Sequence, residues 1–166
     1  MSEGARTTTA AELFAMAESN RRWSEHRGEV QHPCGLHAAD AALARIDLHG
    51  VHFDDSTFES CDFRGATLYD STFSETVVAG CDFSGADMVK MEIHESNLRG
   101  CLFVGANMVR VNIHDSDLRG ACFRGADLTS AVIADCQVDG ADFEGATLDR
   151  ALLSRNTGVA RGLPQD

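Results

Sequence analysis

The 166-residue chain is 43% hydrophobic, which is ample for one packed domain and excludes a disordered tail. Fourteen Lys and Arg stand against 26 Asp and Glu, a formal net charge of −12. That balance disfavours direct binding to nucleic acid or to an anionic membrane and suits a basic partner. The opening MSEGARTTT lacks the apolar run of a secretory signal, and no stretch approaches the roughly 18 apolar residues of a membrane span, so a cytoplasmic protein is expected.

In chain order, residues 1–40 read as an N-terminal segment that carries a capping helix. Thr9-Ala-Ala-Glu12 has the pattern of a capping box, in which a hydroxyl and a carboxylate reciprocally satisfy the first free N–H groups of a helix. Leu13, Phe14, Ala17 and Trp23 follow at spacings that predict an amphipathic helix within 8–27, lying as a lid on the first coil of what comes next. His32, Cys34, His37, His49 and His52 are of types that suit zinc. No pairing among them has a finger spacing, so they read as histidines of the cap and surface, and neither a metal nor a cofactor is predicted.

From 41 to 155 the apolar pattern has a period of five. Every fifth residue from Leu43 to Leu153, 23 in all, is Leu, Phe, Ile, Val or Met, and eight of the nine phenylalanines lie on this series. The residue two places earlier is mostly small, as at Ala66, Cys81, Ala106, Ala126 and Ala146. Two inward positions separated by one residue make a short strand, and the next two residues turn a corner, so the chain must coil. Self-similarity sharpens at 20 residues: Phe63, Phe83, Phe103, Phe123 and Phe143 form a column predicted to stack as an interior ladder, while Gly80, Gly100, Gly120 and Gly140 form another. Four units therefore make one turn, and stacking at the roughly 4.8 Å strand spacing puts each residue over its partner 20 positions on.

The only prolines, Pro33 and Pro164, fall outside the repeats, as they must if each coil donates hydrogen bonds to the next. Cys61, Cys81, Cys101 and Cys136 take the small inward position and read as buried free thiols in a reducing compartment. Residues 156–166 form a tail with too much Gly, Pro and polarity for a helix.

These units resemble the pentapeptide-repeat family, whose motif A(D/N)LXX is matched at Ala86-Asp87-Met88, Ala106-Asn107-Met108, Ala126-Asp127-Leu128 and Ala141-Asp142-Phe143. The resemblance implies an all-β fold, a right-handed quadrilateral parallel β-helix with four pentapeptides per coil. Thr76-Val77-Val78 and Met91-Glu92-Ile93 keep the central apolar residue but lose the small residue or the Asp, which bears on local corner geometry and not on the fold. It also implies a class of partner: the family's quinolone-resistance members are understood as DNA mimics that bind DNA gyrase or its relatives. Those members typically dimerise through a C-terminal helix. No clear counterpart of that helix occurs here, and a homodimer is left open.

No phosphate loop, nucleophile elbow or paired CxxC occurs, so an enzyme is not expected. His94 and His114 share a column beside Glu95 and Asp115 and read as part of a solvated face. Charge says more. Residues 46–150 hold 19 acidic and 7 basic residues, and the remainder is balanced. At about 4.8 Å per turn that segment is a rod of roughly 25 Å with one net negative charge per roughly 2 Å, close to the one per about 1.7 Å of B-DNA. Asp55, Glu75, Glu95, Asp115 and Asp135 form an uninterrupted acidic column, the expected partner-binding element. Against mimicry stand Lys90, Arg110 and Arg150 in one column, with Arg99, Arg119 and Arg124 nearby. Two functions follow as expectations: an acidic rod that occupies a DNA-binding surface of a protein such as gyrase, or a scaffolding rod that binds a protein partner unrelated to DNA.

Overall fold

The computed structural model describes residues 9–15, 18 and 34–163. Residues 10–15 are helical, and the capping box closes as the pattern predicts: the Thr9 N–H donates to Glu12 Oε2 at 2.8 Å and the Glu12 N–H to Thr9 Oγ1 at 3.2 Å. Leu13 is fully buried in the hydrophobic cluster shared with the coils, and Ala10 packs against it in part. Phe14 departs from the amphipathic reading. It is 41% exposed, because in a helix it lies about 100° round from Leu13 and the cap offers only one narrow inward stripe. Ala17, Trp23 and His32 lie outside the described residues.

Among the described residues eight three-residue strands follow: β1 (His37–Ala39), β2 (His52–Asp54), β3 (Thr57–Glu59), β4 (Thr72–Ser74), β5 (Glu92–His94), β6 (Asn112–His114), β7 (Val132–Ala134) and β8 (Leu152–Ser154). All pairs are parallel, β1 with β3 and then β2-β4-β5-β6-β7-β8 in one six-stranded sheet. Register is set by the repeat, as in Glu92↔Asn112 and Ile93↔Ile113. Three further faces carry single bridges at the same 20-residue offset, such as Asn97↔Asp117, Leu102↔Cys122 and Asn107↔Asp127. The molecule is a four-sided, right-handed parallel β-helix of about 6 turns with one short N-terminal helix.

The five-residue period works because two inward side chains per unit fill the core. Phe63, Phe83, Phe103, Phe123 and Phe143 are 0–1% exposed and their rings stack with centroids 4.8, 5.4, 4.9 and 4.6 Å apart. Cys61, Cys81 and Cys101 are buried free thiols one coil apart. Burial pushes the Cys101 thiol up to about 12, which keeps it protonated and unreactive. Backbone pairing continues into residues 156–166 through Gln137↔Thr157 and Asp142↔Arg161. The last bridge spans 19 residues instead of 20, so the register slips by one where the repeat pattern ends.

Candidate docking surface

The four corners of the rod are not alike. At three of them the fourth residue of each turn donates its N–H back to the first, as in Met91 to the Met88 carbonyl at 3.1 Å, Cys101 to Leu98 at 3.2 Å and Ala106 to Phe103 at 3.1 Å. At the corner that ends the strand face, side chains take over. The Thr76 N–H donates to Ser96 Oγ and the Ser96 N–H to Ser116 Oγ, both at 3.1 Å, and the Cys136 N–H to Asn156 Oδ1 at 2.9 Å. The hydroxyls donate in turn to the carbonyls of Ser74 at 3.0 Å and of His94 and His114 at 2.9 Å. Thr76, Ser96 and Ser116 are 0–4% exposed, so the hydroxyls of Ser96 and Ser116 satisfy the Thr76 and Ser96 N–H groups where water cannot reach.

Just outside this polar ladder runs the acidic column. Asp55, Glu75, Glu95, Asp115 and Asp135 are all exposed and all left-handed, with φ from 48 to 55°. Arg155 continues the column at φ 54° and donates its Nε to Asp135 Oδ1 at 2.7 Å, ending the run of negative charge. That contact holds the Asp135 carboxyl below the usual range. Beside the column, the His94 and His114 rings stack 5.4 Å apart at 8°, and His114 Nδ1 lies 3.0 Å from Asp115 Oδ2.

A left-handed backbone costs an ordinary side chain about 1 kcal/mol, which is why two corners use Gly there, Gly100 at φ 65° and Gly105 at 63° among them. Beyond the first coils, where Gly35 and Gly50 begin these columns and Asp40, Arg45 and Ser60 the other two, the two corners that flank the strand face keep side chains instead. One carries the acidic column. The other carries Asp70, Lys90, Arg110, Ser130 and Arg150 at φ 56 to 61°. Residues held in a sparsely populated backbone region at a repeated position point to use of their side chains.

Elsewhere several arginines are matched by neighbouring carboxylates. Arg64 holds Asp62 at 2.7 Å and drives its carboxyl down to about 2; Arg119 holds Asp117 at 2.6 Å, with Arg99 4.0 Å away; Arg124 pairs with Asp142 and Glu144. Arg99, Arg119 and Arg124, which the sequence set against an anionic surface, are thus already matched by carboxylates of this chain. Lys90, Arg110, Glu75 and Glu95 take part in none of the ion pairs among the described residues.

His37, His49 and His52 are separated along the first coils, His49 Nδ1 sitting 3.0 Å from Asp47. Among the described residues no group of three or more His, Cys, Asp or Glu side chains could hold a metal ion, and no helix is long and apolar enough to cross a membrane. The Ser/Thr ladder was not singled out from the sequence. Its signal was present, since Ser56, Thr76, Ser96 and Ser116 are hydroxyl residues at one small position repeated every 20 residues.

A four-sided β-solenoid of five-residue units, presenting flat faces and decorated corners, defines the class. The chain belongs to the pentapeptide-repeat family: the family's pattern, described as pentapeptide repeats, matches in eight copies over residues 39–69, 68–103 and 92–129. Comparison with curated proteins finds no match. Among solved structures, two of trypsin-treated QnrB1, a plasmid-mediated fluoroquinolone resistance protein, share the fold at TM-score 0.54 with 23% and 24% identity. They align over 73% and 71% of this chain, which spans 66% and 62% of their own length. A pentapeptide repeat protein from the Arabidopsis thaliana thylakoid lumen aligns at 23% identity and TM-score 0.46, over 61% of this chain and 67% of its own.

Proposed function

We propose that this protein is a non-enzymatic interaction protein of the cytoplasm whose acidic corner occupies the DNA-binding surface of a type II topoisomerase, DNA gyrase being the partner that the family resemblance implies. The observation that carries the reading is the column Asp55, Glu75, Glu95, Asp115 and Asp135, exposed on consecutive coils at a backbone position where Gly would be less strained. Carboxylates repeated every roughly 4.8 Å along a straight edge offer a basic groove a regular series of negative charges, as a nucleic-acid backbone does. Attraction of this kind acts mainly on association and on partner choice.

Reversing Glu75, Glu95 and Asp115 to Lys changes this edge by six charges and leaves every inward side chain in place. The wild-type protein is expected to inhibit supercoiling by gyrase in competition with DNA, and the folded triple reversal to lose that inhibition. A triple reversal that inhibits as well as the parent would remove the acidic edge from the mechanism.

A second reading has its own observation. Leu102 and Val104 are 41% and 42% exposed on the third face, opposite the strand face. An apolar spot there favours a scaffolding role, in which the rod binds a protein unrelated to DNA. Binding of that kind would persist at high salt, whereas an acidic edge loses its partner as ionic strength rises.

A further inference from the structure

The strand face is bounded by two corners of opposite character. Along one edge run Glu75, Glu95 and Asp115; along the other, Lys90 and Arg110. From Asp55 on, both edges hold side chains in the left-handed backbone region, where the remaining corners use Gly from Gly65 on, and the charges nearest mid-rod, Lys90, Arg110, Glu75 and Glu95, have no ion partner among the described residues. Between the edges, strands β4 to β7 pair side by side in one parallel sheet. A cleft of about 200 Å³ opens beside the cationic edge, lined by His52, Asp70, Ser71, Thr72, Lys90 and Glu92. Lys90 stands at its rim, with Nζ donating to Tyr69 Oη at 3.2 Å, which leaves further N–H groups directed to solvent.

We propose that this face docks a protein whose surface carries both signs of charge in two parallel strips: a cationic strip that meets Glu75, Glu95 and Asp115, and carboxylates that meet Lys90 and Arg110 one face-width away, roughly 10 Å. The inference rests on the acidic corner being the docking element and adds the opposite edge as its specificity determinant. Nucleic acid is rejected by the acidic edge. A groove that is uniformly basic meets only the acidic edge and is repelled by Lys90 and Arg110, so the topoisomerase surface engaged here carries carboxylates alongside its basic groove. Both edges are satisfied together only by a mixed surface, and that fixes lateral register as well as sign.

The test uses the full chain and two probes, decalysine and decaglutamate, followed by amide NMR at low salt. Decalysine should shift Glu75, Glu95 and Asp115. Decaglutamate should shift Lys90 and Arg110 in preference to Arg64 and Arg119, whose charges are already matched, and K90E/R110E should abolish that shift. With gyrase, folded K90E/R110E should inhibit about tenfold less well than the parent. Equal or better inhibition, or a decaglutamate response no stronger at Lys90 and Arg110 than at Arg64 and Arg119, overturns the two-signed surface. If the parent leaves gyrase untouched while both peptides map to their edges, the topoisomerase reading falls and the docking surface stands.

Discussion

The corner that ends the strand face and the corner that follows it a quarter-turn later are built from the same five-residue unit and solve the turn differently. At the later corner the Cys101 N–H closes on the Leu98 carbonyl and Gly100 takes the left-handed position, so backbone alone makes the bend. At the former, Ser96 and Ser116 lend hydroxyls to the Thr76 and Ser96 N–H groups one coil earlier, and Glu75 and Glu95 sit where Gly would fit better. One corner is economical and bare. The other is buttressed from inside and decorated outside, and such an arrangement supports a surface feature at some cost to stability.

Both corners enclose one core, and the loss of a ring from its phenylalanine ladder is the largest expected effect. Phe103→Ala removes a ring stacked on both sides and should destabilise by about 3 to 5 kcal/mol, read by denaturant unfolding. A midpoint unchanged by that substitution would mean that the column does not bear on the core.

Ser96→Ala tests the buttress. It strands the Thr76 N–H in a buried site and should cost about 1 to 3 kcal/mol, with faster hydrogen exchange at that amide. Ser96→Thr should restore most of the loss, since Thr76 occupies the equivalent place one coil earlier. The comparable Ala121, at the corner where backbone closes the turn, needs no hydroxyl, and its N–H bonds the Leu118 carbonyl at 3.0 Å.

The strain difference predicts opposite signs. Glu95→Gly should stabilise by up to about 1 kcal/mol while weakening partner binding, whereas Gly100→Ala should destabilise by about 1 kcal/mol although nothing crowds the added methyl. If both substitutions moved thermal stability in the same direction, backbone strain would not distinguish the corners.

The smallest effect concerns the ion pairs beside the acidic corner. Hydrogen bonds from Arg119 hold the Asp117 carboxyl below its usual value of 3.8. A depressed carboxylate contributes stability in full above that value and loses it as pH falls through the lower, folded one. Asp117→Asn should therefore cost about 0.5 to 1 kcal/mol near neutral pH and progressively less below pH 4, in urea titrations across that range.

The periods of five and twenty made the fold legible, because each inward position is occupied by one kind of residue in every coil and Leu43 to Leu153 obey it without exception. The acidic column was legible for the same reason. What could not be read was which corner each column occupies in energetic terms. Ser96 and Ala106 are both small and inward, and only the backbone geometry shows that Ser96 Oγ accepts a hydrogen bond from the Thr76 N–H while Ala106 merely fills space. Nor could the pattern separate spent from unspent charge: Arg119 and Arg110 lie nine residues apart, one held by Asp117 and the other without an ion partner among the described residues, a distinction made by which corner each occupies. Phe14 misled because apolarity at helical spacing does not say how wide a stripe the cap can cover.

The constant register, residue over residue at an offset of 20, also sets what insertions and deletions do to this molecule. Removing one whole coil, such as residues 91–110, shortens the rod by one strand spacing and leaves each column continuous. Removing a single unit of five rotates all that follows by a quarter-turn, so that Gly100 would continue the Glu75 column and Glu95 would continue that of Asp70. Length is therefore free to drift in steps of 20 while surface chemistry stays aligned; steps of 5, 10 or 15 scramble the edges and keep the inward pattern, and any step that is not a multiple of five breaks the core itself.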